Sequence, residues 1–436
     1  MSQKNISIVG LGYVGLTLAV SFARVGFRVY GVDTNEVITS SLRKKKSIFY
    51  EPGLDELLEK LIDRELFVCD RLPINQSYLA HIISVGTPLR KDGRPNFDYL
   101  EKAVGVLVDS YSGEELVILR STVSVGVTRK LVAPMLAKIC GRDIDQIRIA
   151  FCPERTAEGN ALEELMSLPQ IISGLNPESL ALSEEIFSKI ASSIIKVSSL
   201  EAGELIKLFN NTYRDMHFAL GNCFNHIAQN FGENGIDIIR AANLGYSRSN
   251  IPLPGFVGGP CLEKDAYILV NSFIEHKTNR EKDLVLSGRS YNESLVQTFL
   301  QWFKPFLGAI GSDPVTVSGL AFKGNPKTSD MRGSPAITVV QTLKQLGVRL
   351  RLHDFCVEKS DLESLDLGDA FGDLEKACEG STALIILNNH DSYKDMQCQF
   401  LLSVMRPRPI IFDAWRVTSF ASFQDVTYAD IGSYLI

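Results

Sequence analysis

Cys261 stands in a segment whose residue types are suited to covalent chemistry. The glycine-rich stretch 254–260 precedes it, and Lys264 and Asp265 follow it. The thiolate is the reactive form of cysteine, and a nearby ammonium group or helix N-terminus lowers the pKa of a thiol. If a helix begins at the thiol, Cys261 and Asp265 share one face, because they are four residues apart. A single cysteine is more often a buried structural residue, but the neighbouring residues favour a nucleophile here.

A second informative cluster lies near the N-terminus. Ile6–Val9 has the pattern of a buried strand, and after the next turn and helix a second strand ends at Asp33. The loop between the first strand and the helix consists of Gly10, Leu11, Gly12, Tyr13, Val14 and Gly15. Such glycines allow a tight turn and the close approach of a pyrophosphate, while the acid accepts hydrogen bonds from ribose hydroxyls. Because Asp33 would repel a 2′-phosphate, the sequence predicts NAD as the cofactor.

Composition excludes several classes of protein. The chain has 436 residues, of which 45% are hydrophobic and 22% charged, as in an ordinary globular protein of two or three domains. A net charge of −6 argues against a nucleic-acid partner. No stretch has the length of a transmembrane helix, so no membrane partner is expected.

Cysteine and histidine usage favours a cytoplasmic protein without a metal. The eight cysteines are scattered without a Cys-x-x-Cys pair, and the six histidines have no metal-ligand spacing. Scattered cysteines in a large chain indicate reduced thiols. The first predicted strand also begins so close to Met1 that there is no room for a signal peptide.

The strand and helix patterns predict an α/β fold with a Rossmann domain over residues 1–199. Its later strands each end in small or polar residues, and an open parallel sheet binds its ligand at that edge. These strands are Ala80–Val85, Leu116–Leu119, Ile147–Phe151, Gln170–Ser173 and Ile194–Val197.

The remaining sequence predicts two further domains. Residues 200–307 form a central helical domain, with a long helix over Glu201–Phe231 and further helices from Leu262 to Leu307. A helix of that length with so many apolar positions needs a partner surface, so we expect a homo-oligomer, at least a dimer. Residues 308–436 form a C-terminal Rossmann-like domain. Its predicted strands are Val315–Leu320, Val348–Leu352, Ala383–Leu387 and, as the last, Pro409–Phe412.

Separated motifs, taken together and in order, resemble the UDP-glucose/GDP-mannose dehydrogenase family over nearly the whole chain. They are the loop 10–15 with Asp33, then 50–58, 85–88, 121–123, 153–159, 204–207 with Asn211, 254–265, and 319–323 with Asp330 and Arg332. The resemblance implies NAD-dependent oxidation of the C6 alcohol of a nucleotide sugar to a carboxylate. Two hydrides leave in such a reaction, and a cysteine thiolate can hold the intermediate aldehyde as a thiohemiacetal and then as a thioester.

The resemblance also implies roles for individual residues. Cys261 is the implied nucleophile, and Lys207 with Asn211 stabilises negative charge on the C6 oxygen. Water and protons are implied to be handled by Glu158, Asp265 and Thr122. The implied cofactor contacts beyond the glycine loop and Asp33 are Thr87, Thr122 and Arg332. The implied substrate contacts are Glu154, Arg155, Lys207, Asn211, Arg248, Gly255, Phe256, Gly258 and Lys323. Without the family, Lys207 and Asn211 would read as a solvated pair on one helix face.

Departures from the UDP-glucose pattern favour a 2-acetamido sugar. Arg155 and Thr156 replace Phe-Leu, Pro260 replaces the serine before the nucleophile, and 246–251 resembles the acetamido-sugar branch. The guanidinium of Arg155 could donate to an acetamido carbonyl. The leading hypothesis is a UDP-N-acetylhexosamine 6-dehydrogenase acting on UDP-N-acetylmannosamine. Alternatives are a UDP-glucose 6-dehydrogenase, a two-electron hydroxyacid-type dehydrogenase and a catalytically silent UDP-sugar-binding protein.

Overall fold

The computed structural model describes residues 4–274 and 279–435. Two compact units are present, and each is described by itself. The first comprises Met1–Asn211 with Tyr267–Thr278, and the second comprises Thr212–Ala266 with Asn279–Ile436. Positions 275–278 of the helical run predicted from Leu262 to Leu307 lie outside the described residues.

The first unit is built on an eight-stranded sheet. In chain order its strands are β1 (Asn5–Val9), β2 (Arg28–Val32), β3 (Leu66–Cys69), β4 (Tyr78–Ile83), β5 (Leu116–Leu119), β6 (Ile149–Phe151), β7 (Gln170–Gly174) and β8 (Ile194–Lys196). The spatial order is β3-β2-β1-β4-β5-β6-β7-β8. The strands β1 to β6 are parallel, whereas β7 pairs antiparallel with β6 and carries β8 parallel to itself. The change of direction in chain order between β1 and β4 creates the crevice in which such sheets bind nucleotides.

Helices cover this sheet. They are α1 (Tyr13–Arg24), α2 (Glu36–Arg43), α3 (Leu54–Leu61), α4 (Asp98–Gly105), α5 (Ala133–Cys140), α6 (Ala161–Ser167) and α7 (Pro177–Phe187). Nine consecutive residues of α1, from Gly15 to Ala23, are buried. A short π-helical segment, Thr128–Val132, leads into α5. Strands β1, β4 and β5 are apolar along most of their length and are buried on both faces, as a covered parallel sheet requires.

Helices also dominate the middle of the chain. They are α8 (Leu200–Asn230), α9 (Gly235–Asn243), α10 (Leu262–Phe273), α11 (Asn279–Phe303) and α12 (Leu307–Ile310). The Asn234 side chain caps the first turn of α9 by accepting from the amides of Ile236 and Asp237. Within the described ranges, no helix combines the length and the apolar character needed to cross a bilayer.

The second unit contains a six-stranded, all-parallel sheet. Its strands are β9 (Val315–Ser318), β10 (Leu350–His353), β11 (Asp369–Phe371), β12 (Ala383–Ile386), β13 (Ile410–Asp413) and β14 (Thr427–Asp430), in the spatial order β11-β10-β9-β12-β13-β14. Its helices are α13 (Pro335–Gln345), α14 (Lys359–Ser364), α15 (Leu374–Cys378) and α16 (Cys398–Val404). This strand order is that of a Rossmann fold, as in the first unit.

The predicted α/β fold class is confirmed: the chain has two largely parallel sheets flanked by helices, and a long central helix. Pro409–Phe412 was wrongly predicted to be the last strand, because β14 follows it. The strands β3, β11 and β14 were missed. The partly buried β11 and β14 lack a continuous apolar run, whereas β3 is apolar throughout but only four residues long.

Candidate functional site

The loop after β1 has the geometry of a dinucleotide-binding turn. Gly10 adopts φ +95°, and a Cβ there would lie 2.6 Å from the carbonyl oxygen of Ser84. A Cβ on Gly15 would lie 1.8 Å from the carbonyl oxygen of Gly10, so only glycine lets α1 pack this closely against the loop. Nothing obstructs a Cβ at Gly12, where the close approach of a pyrophosphate is the remaining reason for glycine.

Asp33 anchors this loop and leaves capacity for a ligand. One carboxylate oxygen accepts from the Leu11 amide at 2.7 Å and the other accepts from the Asn35 amide at 2.8 Å. The side chain is half-buried and lines a cavity of about 410 Å³, together with Gly10, Gly12 and Asp70. Two carboxylate oxygens offer about four acceptor positions, so two remain for ribose hydroxyls. The cavity and its acceptor fit the adenosine part of NAD.

A buried carboxylate connects the cofactor loop to the segment that carries Glu158. Glu51 accepts from the Tyr13 hydroxyl, from the Gly159 amide at 2.9 Å and from the Leu162 amide at 3.1 Å. The Gly159 amide also lies 2.8 Å from the Tyr13 oxygen. The backbone beside Glu158 is therefore fixed by Glu51, a motif residue for which the sequence indicated no role.

Two predicted contact residues of the first unit engage each other. The Thr87 hydroxyl donates to the carbonyl oxygen of Thr122. Thr87 is buried and Thr122 is half-buried. This bond ties together the loops that follow β4 and β5, at the ligand-binding edge of the sheet.

Glu154 belongs to a buried ion pair. Arg120 donates to its carboxylate, and the Thr156 amide donates to the same group at 2.6 Å. Burial alone would raise the pKa of Glu154, but Arg120 and the Thr156 amide outweigh burial and hold the pKa at about 2. Glu154 is therefore a permanently charged anchor. Arg120 is a residue that sequence reasoning missed, although it directly follows a buried strand.

Lys207 and Asn211 are both buried on one face of α8, so the reading as a solvated surface pair is wrong. The Lys207 ammonium donates to the carbonyl oxygen of Glu154. Arg155 is also engaged, because its guanidinium donates to the carbonyl oxygen of Pro169. Lys207 and the segment at Glu154 are thus brought together within the first unit.

Cys261 immediately precedes α10 in the second unit and is exposed. Its carbonyl oxygen accepts from the Asp265 amide at 3.0 Å, as in the first turn of a helix. The Lys264 ammonium lies 2.6 Å from the fully buried Asp265 carboxylate. Burial would lower the pKa of Lys264, but Asp265 and Cys261 outweigh it and raise that pKa. The thiol therefore sits at a helix N-terminus beside a lysine that stays protonated.

Close packing requires glycine at three positions before Cys261. A Cβ would lie 2.3 Å from the Trp415 ring at Gly255, 2.2 Å from the Gly333 carbonyl oxygen at Gly258, and 2.6 Å from the Phe322 ring at Gly259. Protein atoms fill the Cβ position at all three glycines. The glycines let this segment, which we call the nucleophile loop (254–261), pack against its own unit.

The other predicted contact residues of the second unit range from fully buried to exposed. Phe256 is buried against the rings of Phe299 and Phe412, in the hydrophobic core. Lys323 is half-buried, with its ammonium 5.5 Å from the centre of the Phe322 ring. Exposed residues are Arg248, which stacks on Tyr246, and Arg332, which pairs with Asp330 at 2.6 Å.

The chain matches three family models in succession. These describe the NAD binding domain (residues 4–191), the central domain (201–294) and the UDP binding domain (316–420) of the UDP-glucose/GDP-mannose dehydrogenase family. The UDP-N-acetyl-D-mannosamine dehydrogenase of Pyrococcus horikoshii is 30% identical over 414 residues, which cover 93% of this chain and 94% of that protein.

Further comparisons agree. A solved structure of the UDP-D-ManNAc dehydrogenase from Pyrococcus horikoshii has a TM-score of 0.87 at 28% identity, covering 99% of this chain and 100% of that chain. The NDP-N-acetyl-D-galactosaminuronic acid dehydrogenase of Ralstonia solanacearum is 29% identical over 412 residues, which cover 92% of this chain and 94% of that protein. The chain therefore belongs to the UDP-glucose/GDP-mannose dehydrogenase family.

The protein is an NAD-dependent oxidoreductase with a UDP-sugar as its substrate. The predicted family, cofactor and enzyme class are thereby confirmed. The domain boundaries, the site residues, the sugar, the oligomeric state and the cytoplasmic location stay predictions.

Proposed function

We propose that this enzyme oxidises the C6 alcohol of UDP-N-acetyl-D-mannosamine to the uronate, with Cys261 as the covalent nucleophile. The assignment of Cys261 as the nucleophile rests on its position: it is exposed, and it lies at the N-terminus of α10 beside the protonated Lys264. Both neighbours stabilise a thiolate. Burial of a cysteine in apolar surroundings would instead raise the pKa of its thiol.

Oxidation of the alcohol to the carboxylate takes two hydride transfers and one hydrolysis. The alcohol loses a hydride from C6 and a proton from its oxygen, giving an aldehyde. The Cys261 thiolate adds to the aldehyde carbon, a second hydride leaves that carbon, and a thioester forms. Water then cleaves the thioester, releasing the carboxylate and the thiol. NAD supplies the acceptor for each hydride, so one sugar and one water yield one carboxylate, two NADH and three protons.

The remaining roles follow from the family resemblance. Lys207 and Asn211 stabilise negative charge on the C6 oxygen, and their burial on one helix face supports this role, since low dielectric strengthens such contacts. Glu158 and Thr122 hold the water and move protons. Asp265 acts through its pairing with Lys264.

The choice of sugar rests on Arg155 with Thr156 and on the names of the relatives. Two relatives at 30% and 32% identity are called UDP-N-acetyl-D-mannosamine dehydrogenase, from Pyrococcus horikoshii and Methanocaldococcus jannaschii. One Arg155 donor is used by Pro169, and a guanidinium has five. An acetamido carbonyl can therefore still be bound by this side chain.

A panel of nucleotide sugars tests the substrate. NADH production is compared for UDP-N-acetylmannosamine, UDP-N-acetylglucosamine, UDP-N-acetylgalactosamine and UDP-glucose. We expect the highest kcat/KM for the manno epimer and two NADH per sugar consumed. A preference for UDP-glucose would contradict the acetamido assignment. One NADH with released aldehyde would favour a two-electron dehydrogenase, and binding without turnover would favour a silent binding protein.

Cys261→Ser tests the nucleophile. Serine retains size and hydrogen bonding but replaces a good leaving group with a poor one, so we expect retained NAD and UDP-sugar binding and a loss of acid formation by several orders of magnitude. Cys140→Ser is the matched control, because Cys140 is half-buried in α5, in the other unit. Normal acid production by Cys261→Ser would exclude the thioester route.

We further propose a homodimer formed through α8. Within the second unit this helix exposes large apolar side chains at helical spacing, Tyr213, Leu220, Phe224 and Ile227, and the exposed Phe231 directly follows its end. Phe231 is 80% exposed and Tyr213 is 65% exposed, and a contiguous apolar stripe of this kind marks an interface. A second copy can pair the same stripe about a two-fold axis. Sedimentation at 48.2 kDa, the mass of one chain, would contradict this.

A further inference from the structure

Four buried polar side chains form a connected network in the second unit. Asp215 and Asn222 lie on α8, and Arg289 and Asn292 lie on α11. Their exposed fractions are 1%, 1%, 2% and 2%, in that order. Burying such groups is costly unless they are hydrogen-bonded. The four side chains make hydrogen bonds that apolar residues could not make.

One end of the network is hydrogen-bonded to the nucleophile loop at Gly255. The Asn222 side chain accepts from the Gly255 amide at 2.9 Å and donates to the Gly255 carbonyl oxygen at 3.1 Å. Asn222 also donates to the side-chain oxygen Oδ1 of Asn292 at 3.0 Å. Asn292 in turn donates to the Asp215 carboxylate at 2.9 Å. This two-way amide contact fixes both the position and the orientation of the backbone.

The other end is hydrogen-bonded to the backbone on both sides of Cys261. The Arg289 guanidinium pairs with Asp215 at 2.8 Å and donates to the carbonyl oxygens of Val257 at 3.3 Å and Leu262 at 3.2 Å. A planar guanidinium holds its donors in a rigid fork. The carbonyls of Val257 and Leu262 are therefore held at a set separation, and the segment between them carries the thiol.

We propose that Asn222 and Arg289 are positioning residues that set the geometry of Cys261. The inference rests on the proposed function of Cys261 as nucleophile. A misplacement of about 1 Å in a reacting group can cost about 100-fold in rate. Residues 251–258 belong to no helix or strand, so the position of the thiol depends on contacts from the surrounding elements. The network supplies that support from two helices.

Asn222→Ala tests the proposal, with Asn225→Ala as a matched control. Asn225 lies on the same helix, is equally buried and donates to a backbone carbonyl, that of Ile431 at 2.7 Å. Both variants lose a buried amide, but only Asn222→Ala loosens the nucleophile loop. We expect kcat about 10- to 100-fold lower for Asn222→Ala, with KM for NAD within about threefold of wild type, and a near-normal kcat for Asn225→Ala.

A second readout follows Cys261 directly. The rate of its alkylation by iodoacetamide, located by mass spectrometry, should change for Asn222→Ala and not for Asn225→Ala. If Asn222→Ala does not fold, Asn222→Ser gives a smaller perturbation, because serine keeps a polar hydroxyl in the buried site; we then expect an intermediate kcat. Equal kcat and equal alkylation for the two alanine variants, or for Asn222→Ser and wild type, would overturn the proposal.

The two proposals fail separately. If Cys261→Ser forms acid normally, the proposed nucleophile is wrong whatever Asn222 does. If Cys261→Ser is inactive while Asn222→Ala behaves like Asn225→Ala, the positioning role alone is wrong.

Discussion

Glu154→Gln removes one charge from the buried ion pair at the predicted substrate loop. Glutamine keeps the shape of the side chain and can still accept from the Thr156 amide, whose bond is 2.6 Å in the wild type. Arg120 then remains buried without an opposing carboxylate, beside Gln170 at 3.1 Å and the Phe187 ring. A buried cation without its anion is strongly destabilising.

The magnitude follows from the pKa of Glu154. Folding lowers this pKa from 4.5 to about 2, and each unit corresponds to about 1.4 kcal/mol. The charged form is thus favoured in the fold by about 3 kcal/mol, in line with the ~3–5 kcal/mol typical of breaking a buried pair. Because the pKa is depressed, this contribution is fully present above the unfolded value of 4.5 and is lost as pH falls toward 2.

Urea unfolding of wild type and Glu154→Gln measures this difference. We expect the variant to be about 3 kcal/mol less stable, with a gap that is constant from about pH 6 to 9. Glu201→Gln is the control, because its pair with Arg129 is partly exposed and should contribute at most about 1 kcal/mol. A Glu154→Gln effect as small as that of Glu201→Gln, or one that grows with pH across this range, would refute the reasoning.

Three further outcomes are expected. Burial raises the pKa of Glu204 to about 7, although hydrogen bonds from Thr128 oppose this shift. The free energy of unfolding should therefore fall as pH rises from about 4.5 to 7. The urea midpoints of Glu204→Gln at pH 5 and 8 should not show this decrease. Tyr13→Phe removes a hydroxyl bonded to Glu51 and the Gly159 amide, and urea unfolding should show a loss of about 1–3 kcal/mol. Asp33→Ser removes the repulsion of a 2′-phosphate, so kcat/KM for NADP relative to NAD should rise about tenfold, the effect of ~1.4 kcal/mol; an unchanged ratio would contradict the role of Asp33.

The sequence predicted those features that depend on local pattern. The first strand, the glycine loop and Asp33 all lie within residues 6–33, and Lys264 follows Cys261 by three positions. The Arg120–Glu154 pair joins residues 34 positions apart, and no periodicity reports such a contact. The contact of Asn222 with the nucleophile loop could not be predicted either, because the sequence pattern does not show whether a polar residue of a helix faces solvent or a buried loop. The reversal of β7 also depends on how the chain packs after β6, which strand composition does not encode.

The two sheets show why an acid after a strand is only a partial sign of a nucleotide site. Asp354 follows β10 as Asp33 follows β2, and it accepts from the Ala321 amide at 3.0 Å just as Asp33 accepts from Leu11. Asp354, however, is buried and also accepts from the Cys356 amide, the Val357 amide and the Asn388 side chain. Its four acceptor positions are filled by the protein, whereas two remain at Asp33. The same residue thus holds a loop in both sheets, and only where it is left partly exposed and partly unfilled can it also hold a ribose.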